Sequence, residues 1–163
     1  MSLLDKIRKD PEIMNLIKEA EQWWASPVEH HTVAECERLL EIYAELIRRG
    51  DPKTKADKVF YRPRARLQLI MARLQRPGEG GVLFFIGHSK VDRALIESEL
   101  ALGLAEIEKM LEARKQPLLL TTTKKEDPLI YHLINDYLIH DSFRFQLEEW
   151  EKTYRDFQKR LSE

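Results

Sequence analysis

A long stretch of helical pattern near the middle of the chain limits most strongly what this sequence can fold into. Within residues 89–114, apolar side chains recur three or four residues apart, which is the repeat of an amphipathic helix. The apolar stripe consists of Ile96, Leu100, Gly103, Ile107 and Leu111. Because Leu95, Leu102 and Ala105 widen the apolar surface beyond this stripe, we predict that this helix is the central and most buried element of a bundle.

Two details of this stretch sharpen the prediction. Ser89 and Asp92 form a carboxylate variant of the capping box, so the helix should begin at Ser89. Glycine in a helix interior costs roughly 1 kcal/mol relative to alanine. The glycine at position 103 therefore predicts that another helix crosses close to this one.

Helix-start signals recur along the rest of the chain. Asp-Pro dipeptides at 10–11, 51–52 and 127–128 each place an N-cap residue before a proline that suits the first helical position. Thr32 with Glu35 matches a capping box. A proline inside a helix removes a hydrogen bond, so Pro63 predicts a restart between two helical segments.

Two further changes of pattern affect the second half of the chain. The apolar phase slips near residues 141–142, which predicts a kink or a new helix capped by Ser142. Gln116-Pro117 ends the central helix, and the run that follows predicts an extended, partly buried connector. The glycine-rich residues 77–81 are the best candidate for a mobile loop.

Together these signals predict an all-α fold. We expect residues 1–163 to form a single-domain bundle of about six helices around the helix at 89–114. The β-favouring pieces are 82–86 and 118–122, and they predict at most a minor extended pairing.

Composition excludes several classes of protein. A single cysteine, Cys36, excludes an internal disulfide framework and a multi-cysteine zinc site within one chain. Its position on an apolar helix face between two glutamates predicts a buried structural thiol, and we expect a cytoplasmic protein. The apolar runs are too short to cross a membrane, so we expect no membrane association. The glycine-rich loop lacks the spacing of a phosphate or dinucleotide site, and we expect no cofactor.

Positive charge is concentrated in one segment although the whole chain has a formal net charge of -1. Between residues 47 and 76, ten Lys and Arg residues stand against two Asp residues, which is compatible with a nucleic-acid backbone contact. The residues assigned to that contact are Arg48, Arg49, Lys53, Lys55, Lys58, Arg62, Arg64, Arg66 and Arg73. The alternative is that they pair with acidic faces of the same chain at residues 37–45 or 148–151.

A second candidate site lies near the C-terminus. His132, Asp136 and His140 are four residues apart, so a straight helix would place them on one stripe, beside Asp141. Imidazole and carboxylate groups can bind a metal ion. The His140-Asp141 pair resembles the dipeptide of HD-type phosphohydrolases, which implies a metal-dependent hydrolase, although that family's pattern also needs a preceding histidine and a later aspartate. A facing ligand would have to come from another histidine, at position 30, 31 or 88.

No group of residues in the sequence converges on a catalytic pattern, which favours a non-enzymatic helical interaction or assembly protein. We expect a protein partner or self-association, with nucleic-acid contact through 47–76 as an additional role. The alternative is a metal-dependent phosphohydrolase that uses the histidine and aspartate residues near the C-terminus.

Overall fold

The computed structural model describes residues 10–74 and 90–162, and these residues form seven α-helices and no strand. The helices are α1 (Pro11–Ala25), α2 (Val33–Arg49), α3 (Pro52–Leu74), α4 (Lys90–Ala113), α5 (Pro117–Leu120), α6 (Pro128–Leu133) and α7 (Asp141–Ser162). A 3₁₀ turn, Val28–His30, precedes α2, and a π-helical turn, Ile134–Leu138, follows α6. The all-α prediction is confirmed.

The helix starts follow from local hydrogen bonding, as predicted. The Asp10 carboxylate accepts hydrogen bonds from the backbone N–H groups of Glu12 and Ile13, at 3.0 and 3.3 Å. At the start of α3, Asp51 accepts one from Thr54 N at 2.7 Å, and α6 is capped in the same way. The capping box at the start of α2 is complete. Such caps satisfy N–H groups that have no partner within the helix.

The centre of the bundle is α3, whereas we predicted α4. One apolar cluster packs α1 and α2 against one side of α3, and a second packs α4, α6 and α7 against its other side. Ala65 and Leu69 of α3 belong to the first cluster, while Phe60, Leu67 and Ile70 belong to the second. The main neighbours of α4 are α3 and α7. Because α3 belongs to both apolar clusters and α4 to only one, α3 occupies the centre. The prediction for 89–114 was wrong in this respect.

The prediction of a restart at Pro63 was also wrong, because α3 continues through it without a break. The proline ring is buried, and the Pro63 carbonyl accepts a hydrogen bond of 2.6 Å from the Tyr154 hydroxyl. An interior proline costs about 3 kcal/mol. Packing on two sides of α3 offsets this cost, and one continuous helix sets the directions of the arginines around Pro63.

The predicted core stripe of α4 is largely confirmed, but its predicted width was wrong. Ile96, Leu100 and Ile107 are fully buried. Leu95 and Leu102, by contrast, are 42% and 49% exposed, and Ala105 is exposed too. With α3 and α7 as its main neighbours, α4 keeps one apolar side outside the core.

Gly103 makes the predicted close crossing possible. A Cβ atom built on it would overlap the Tyr154 ring. Burial raises the pKa of the Tyr154 hydroxyl, which therefore remains a donor to Pro63. One side chain of α7 thus crosses α4 at its glycine and reaches the backbone of α3.

The connector after α4 differs from the prediction. Leu118 to Leu120 belong to the single helical turn α5, and all three side chains are exposed. They are not extended, because Pro117 starts a helical turn that includes them. They are not buried, because this turn has no buried residue. The proposed pairing partner at 82–86, the loop at 77–81 and the cap at Ser89 lie outside the described residues. The predicted break before α7 is confirmed, since the π-helical turn ends and α7 starts at Asp141. The predicted cap is wrong, because Ser142 lies inside α7.

Candidate functional site

Most of the basic residues assigned to nucleic acid contact groups of the same chain. Near the end of α2, Arg48 contacts Glu45 at 2.6 Å, and Arg49 contacts Glu12 of α1 at 2.7 Å. Lys58 of α3 lies 3.0 Å from the carboxylate of the adjacent Asp57. The Arg49–Glu12 pair holds the pKa of that carboxyl below its usual value. The Arg49–Glu12 pair joins two helices, and the other two pairs lie within one helix.

A four-residue ion network joins α3 to α4. Arg62 Nε donates to one Glu106 oxygen at 3.0 Å, and Arg66 donates to the other at 2.6 Å. Arg66 also donates to Glu99 at 2.7 Å. Burial alone would lower the pKa of Arg66, but the two carboxylates raise it above its usual value. Both oxygens of Glu106 are therefore committed to holding the two helices together.

Of the four remaining basic residues, two contact other side chains of the same protein and two have no carboxylate partner among the described residues. Arg64 points away from the network and stacks over the Trp24 ring, with 4.6 Å between the guanidinium carbon and the ring centroid. Arg73 is buried and contacts Glu37 at 3.5 Å. Lys53 and Lys55 have no carboxylate partner within residues 10–74 and 90–162. The assignment of these residues to nucleic acid stays a prediction. Internal pairing is observed, but of the acidic faces named for it only Glu37 and Glu45 take part, while the other partners include Glu12, Asp57, Glu99 and Glu106.

The helix around the predicted metal stripe is not straight. His132 Nδ1 lies 3.3 Å from an Asp136 oxygen, but the π-helical turn and the break after it direct His140 Nε2 to the Asn135 carbonyl at 2.9 Å. Asp141 instead pairs with Arg114 at 2.9 Å. In the described part of the chain, no three histidine, cysteine, aspartate or glutamate residues form a group that could hold a metal ion.

Of the histidines considered as facing ligands, His31 has structural contacts and His30 is exposed. His31 stacks on Trp23 with ring centroids 3.9 Å apart and contacts the Trp23 carbonyl at 2.8 Å. His88 lies outside the described residues. Burial, helped by Glu35 and Glu37, raises the pKa of the Cys36 thiol to about 11. A thiol with this pKa is protonated at neutral pH and is a poor nucleophile.

An open groove of about 670 Å³ lies between α3, α4, α5 and α6. Its lining combines apolar side chains from all four helices with a polar lip that includes the Arg62–Glu106 pair. The lining residues are Val59, Arg62, Glu106, Lys109, Met110, Glu112, Ala113, Gln116, Leu119, Leu129, Ile130 and Leu133. No histidine, cysteine, serine, threonine or tyrosine is among them, and the charged residues Arg62 and Glu106 are bonded to each other. The groove therefore offers mainly apolar contact.

A second exposed apolar surface runs along α4, and we name it the α4 face. It consists of the exposed residues Ala94, Leu95, Ser98, Ala101, Leu102 and Ala105. Sequence reasoning assigned its two leucines to the core and so missed it as a surface. The signal that could have revealed it was present, because these leucines repeat every seven residues beside the core stripe, with small residues next to them.

Comparison with known proteins gives no relative from which a function could be transferred. No family model, no curated protein and no solved structure matches the chain. Among the described helices, none combines the length and the apolar character that crossing a bilayer requires.

Proposed function

We propose that this chain is a non-enzymatic helical interaction protein that binds another helix on the α4 face. The exposure of Leu95 and Leu102, on a helix whose other side is fully buried, supports this proposal most directly. Exposed apolar patches bordered by polar residues commonly mark protein-binding sites. The small residues at 94, 98, 101 and 105 leave room for a second helix to approach closely.

The alternative of a metal-dependent phosphohydrolase has less support. It needs His132, Asp136, His140 and Asp141 to converge, but His140 bonds a backbone carbonyl and Asp141 bonds an arginine. The open groove between α3, α4, α5 and α6 has none of these four residues in its lining, and its Glu106 is held by Arg62 and Arg66. The conditions for positioned general acid–base catalysis are therefore not met by these groups.

Nucleic-acid contact through the basic segment also has less support than protein binding. Counterion release requires cations that are free to neutralise phosphates. Arg49, Arg62 and Arg66 are already neutralised by carboxylates, and Arg64 covers an indole ring. Lys53 and Lys55 alone form too small a set for a backbone-tracking surface.

A cytoplasmic location is part of the same proposal. Cys36 is a free, buried thiol with a raised pKa, as expected for a protein that uses no disulfide. Reducing compartments keep such thiols free.

The proposal is tested by site-specific photo-cross-linking in living cells. A photo-reactive amino acid replaces Leu102 on the α4 face or, as a matched control, Phe145 of α7, which is 56% exposed. We expect defined protein adducts from position 102, loss of those adducts when Ala101→Arg is added, and no such adduct from position 145. Equal labelling at both positions, or adducts that survive Ala101→Arg, would contradict binding on the α4 face.

A further inference from the structure

The α4 face contains a raised and a lowered side. A helix advances 100° per residue, so residues seven apart lie almost in line. Leu95 and Leu102 form a ridge along one edge, while Ala94 and Ala101 form a low strip along the other. Ser98 and Ala105 lie between these rows. The same surface thus carries both knobs and the shallow positions that could receive them.

The charges that continue this surface toward the end of α4 are complementary as well. Lys109 extends the leucine ridge by one more repeat, and it has no carboxylate partner among the described residues. Glu112 lies seven residues beyond Ala105, and because seven residues fall about 20° short of two full turns, it lies on the same side of the contact line as the low strip. It accepts one hydrogen bond, from the Gln116 side chain at 3.2 Å. The two opposite charges therefore lie on opposite sides of the contact line, about 4.5 Å apart along the helix axis.

These features together specify one occupant. We infer that the helix bound on the α4 face is α4 of a second copy of this chain, parallel to the first and related to it by a two-fold axis. This inference rests on the proposed function and names its partner. A two-fold contact requires a surface that is complementary to itself, and the α4 face meets this requirement in shape and in charge.

The parallel direction follows from which edges meet. In a parallel pair, the leucine ridge of each helix faces the low strip of the other, so Leu102 packs beside Ala101 of the second copy. Lys109 of each copy then lies opposite Glu112 of the other. In an antiparallel pair, ridge would face ridge and Leu95 would lie opposite a lysine. Close helix pairs favour side chains that insert between smaller neighbours, which selects the parallel arrangement.

Cysteine cross-linking of the full chain distinguishes the two directions. Ser98 and Ala105 lie on the contact line and are about 10 Å apart along the helix, from a rise of 1.5 Å per residue. In a parallel pair, each of these positions meets its own copy, so Ser98→Cys and Ala105→Cys should both form disulfide-linked dimers under mild oxidation. In an antiparallel pair, only a residue at the crossing point meets its own copy, so at most one of the two variants would form the disulfide. Lys152→Cys, exposed on α7, is the control for random collision, and the native Cys36 is buried.

A charge reversal tests the same geometry without cysteine. Sedimentation equilibrium of the unmodified chain should show a dimer, and Leu102→Asp should shift it to monomer while leaving the helix content unchanged, because this residue is exposed. Lys109→Glu should weaken dimerisation by about tenfold, as expected for two lost rim pairs. The double variant Lys109→Glu with Glu112→Lys should restore it.

The possible failures separate the two proposals. Cross-linking at only one of the two positions, or at neither, overturns the parallel second copy. If photo-cross-linking from position 102 still yields an adduct with a different protein, and Ala101→Arg removes that adduct, the proposed function survives with another occupant. A monomeric chain with no specific adduct from position 102 overturns both.

Discussion

The two longest helices that meet across the ion network differ in a way that their compositions would not suggest. α3 carries seven Lys and Arg residues and an internal proline, yet it lies between two apolar clusters. α4 is the more apolar of the two, yet one of its sides faces solvent. Position in the bundle therefore follows the number of sides that a helix can pack, and not its total apolar content.

The side chains of α3 show how a charged helix can occupy the centre. Lysine and arginine can bury their aliphatic stems while their charged ends reach water or a carboxylate. Arg62 and Arg66 end on Glu106, and Arg64 ends over the Trp24 ring. Between these long side chains, small or apolar residues such as Ala56, Phe60 and Ala65 are fully buried.

The largest effect should come from removing the main aromatic anchor of α3. Phe60 is fully buried and contacts rings of Tyr61, Tyr137, Phe143 and Trp150. We expect Phe60→Ala to lower the free energy of unfolding by about 3 to 5 kcal/mol. Urea denaturation measures this change. The exposed control, Phe145→Ala, should change the free energy of unfolding by no more than about 0.5 kcal/mol. Similar values for the two variants would contradict a central α3.

The two sides of α4 should respond very differently to the same kind of truncation. Ile107→Ala removes a fully buried side chain and should cost about 2 to 5 kcal/mol. Leu102→Ala removes one that is 49% exposed and should change the stability of the monomer by no more than about 0.5 kcal/mol. Measurement at protein concentrations below those at which the proposed dimer would form keeps the two effects separate. A loss above 2 kcal/mol for Leu102→Ala would restore the original expectation that this leucine belongs to the core.

Gly103→Ala tests the crossing of α4 by the sign of its effect. Alanine is the better helix former by about 1 kcal/mol, so without a crossing the substitution would stabilise the protein. Because the new Cβ would meet the Tyr154 ring, we expect a loss of roughly 1 to 3 kcal/mol instead. Thermal denaturation is sufficient to determine the direction, and Glu97→Ala at an exposed site of the same helix is the control. Stabilisation by Gly103→Ala would show that Tyr154 does not occupy this space.

The smallest effects should come from the arginines on opposite sides of α3. Arg66→Ala leaves the part-buried Glu99 and Glu106 without a shared donor, and we expect a loss of about 1 to 3 kcal/mol. Arg64→Ala removes a contact with an aromatic ring at an exposed position, worth about 0.5 to 1 kcal/mol. Chemical denaturation at low and high salt compares them. Equal losses would indicate that the network between α3 and α4 does not stabilise the fold.

Local patterns predicted much of the fold and little of the candidate site. The start of each capped helix and the buried stripe of α4 were predictable because a cap and a stripe involve residues within one or two turns of each other. The pairing of Arg66 with Glu99 and Glu106 was not, because it joins residues 33 and 40 positions apart in the chain. The α4 face escaped prediction for the same reason, since the exposure of Leu102 depends on where α3 and α7 lie.

The sequence by itself determined that the described chain is helical and where four of its helices begin, because Asp10, Thr32, Asp51 and Asp127 satisfy N–H groups that lie only two or three residues further along. Tertiary structure alone decided that α3 passes through Pro63 and occupies the centre, and that one side of α4 stays open. Capping free energy is local, whereas burial depends on which distant helices supply the neighbouring surface. A repeat of apolar residues therefore specifies that a helix has an apolar side, and packing decides whether that side becomes core or a surface for another molecule.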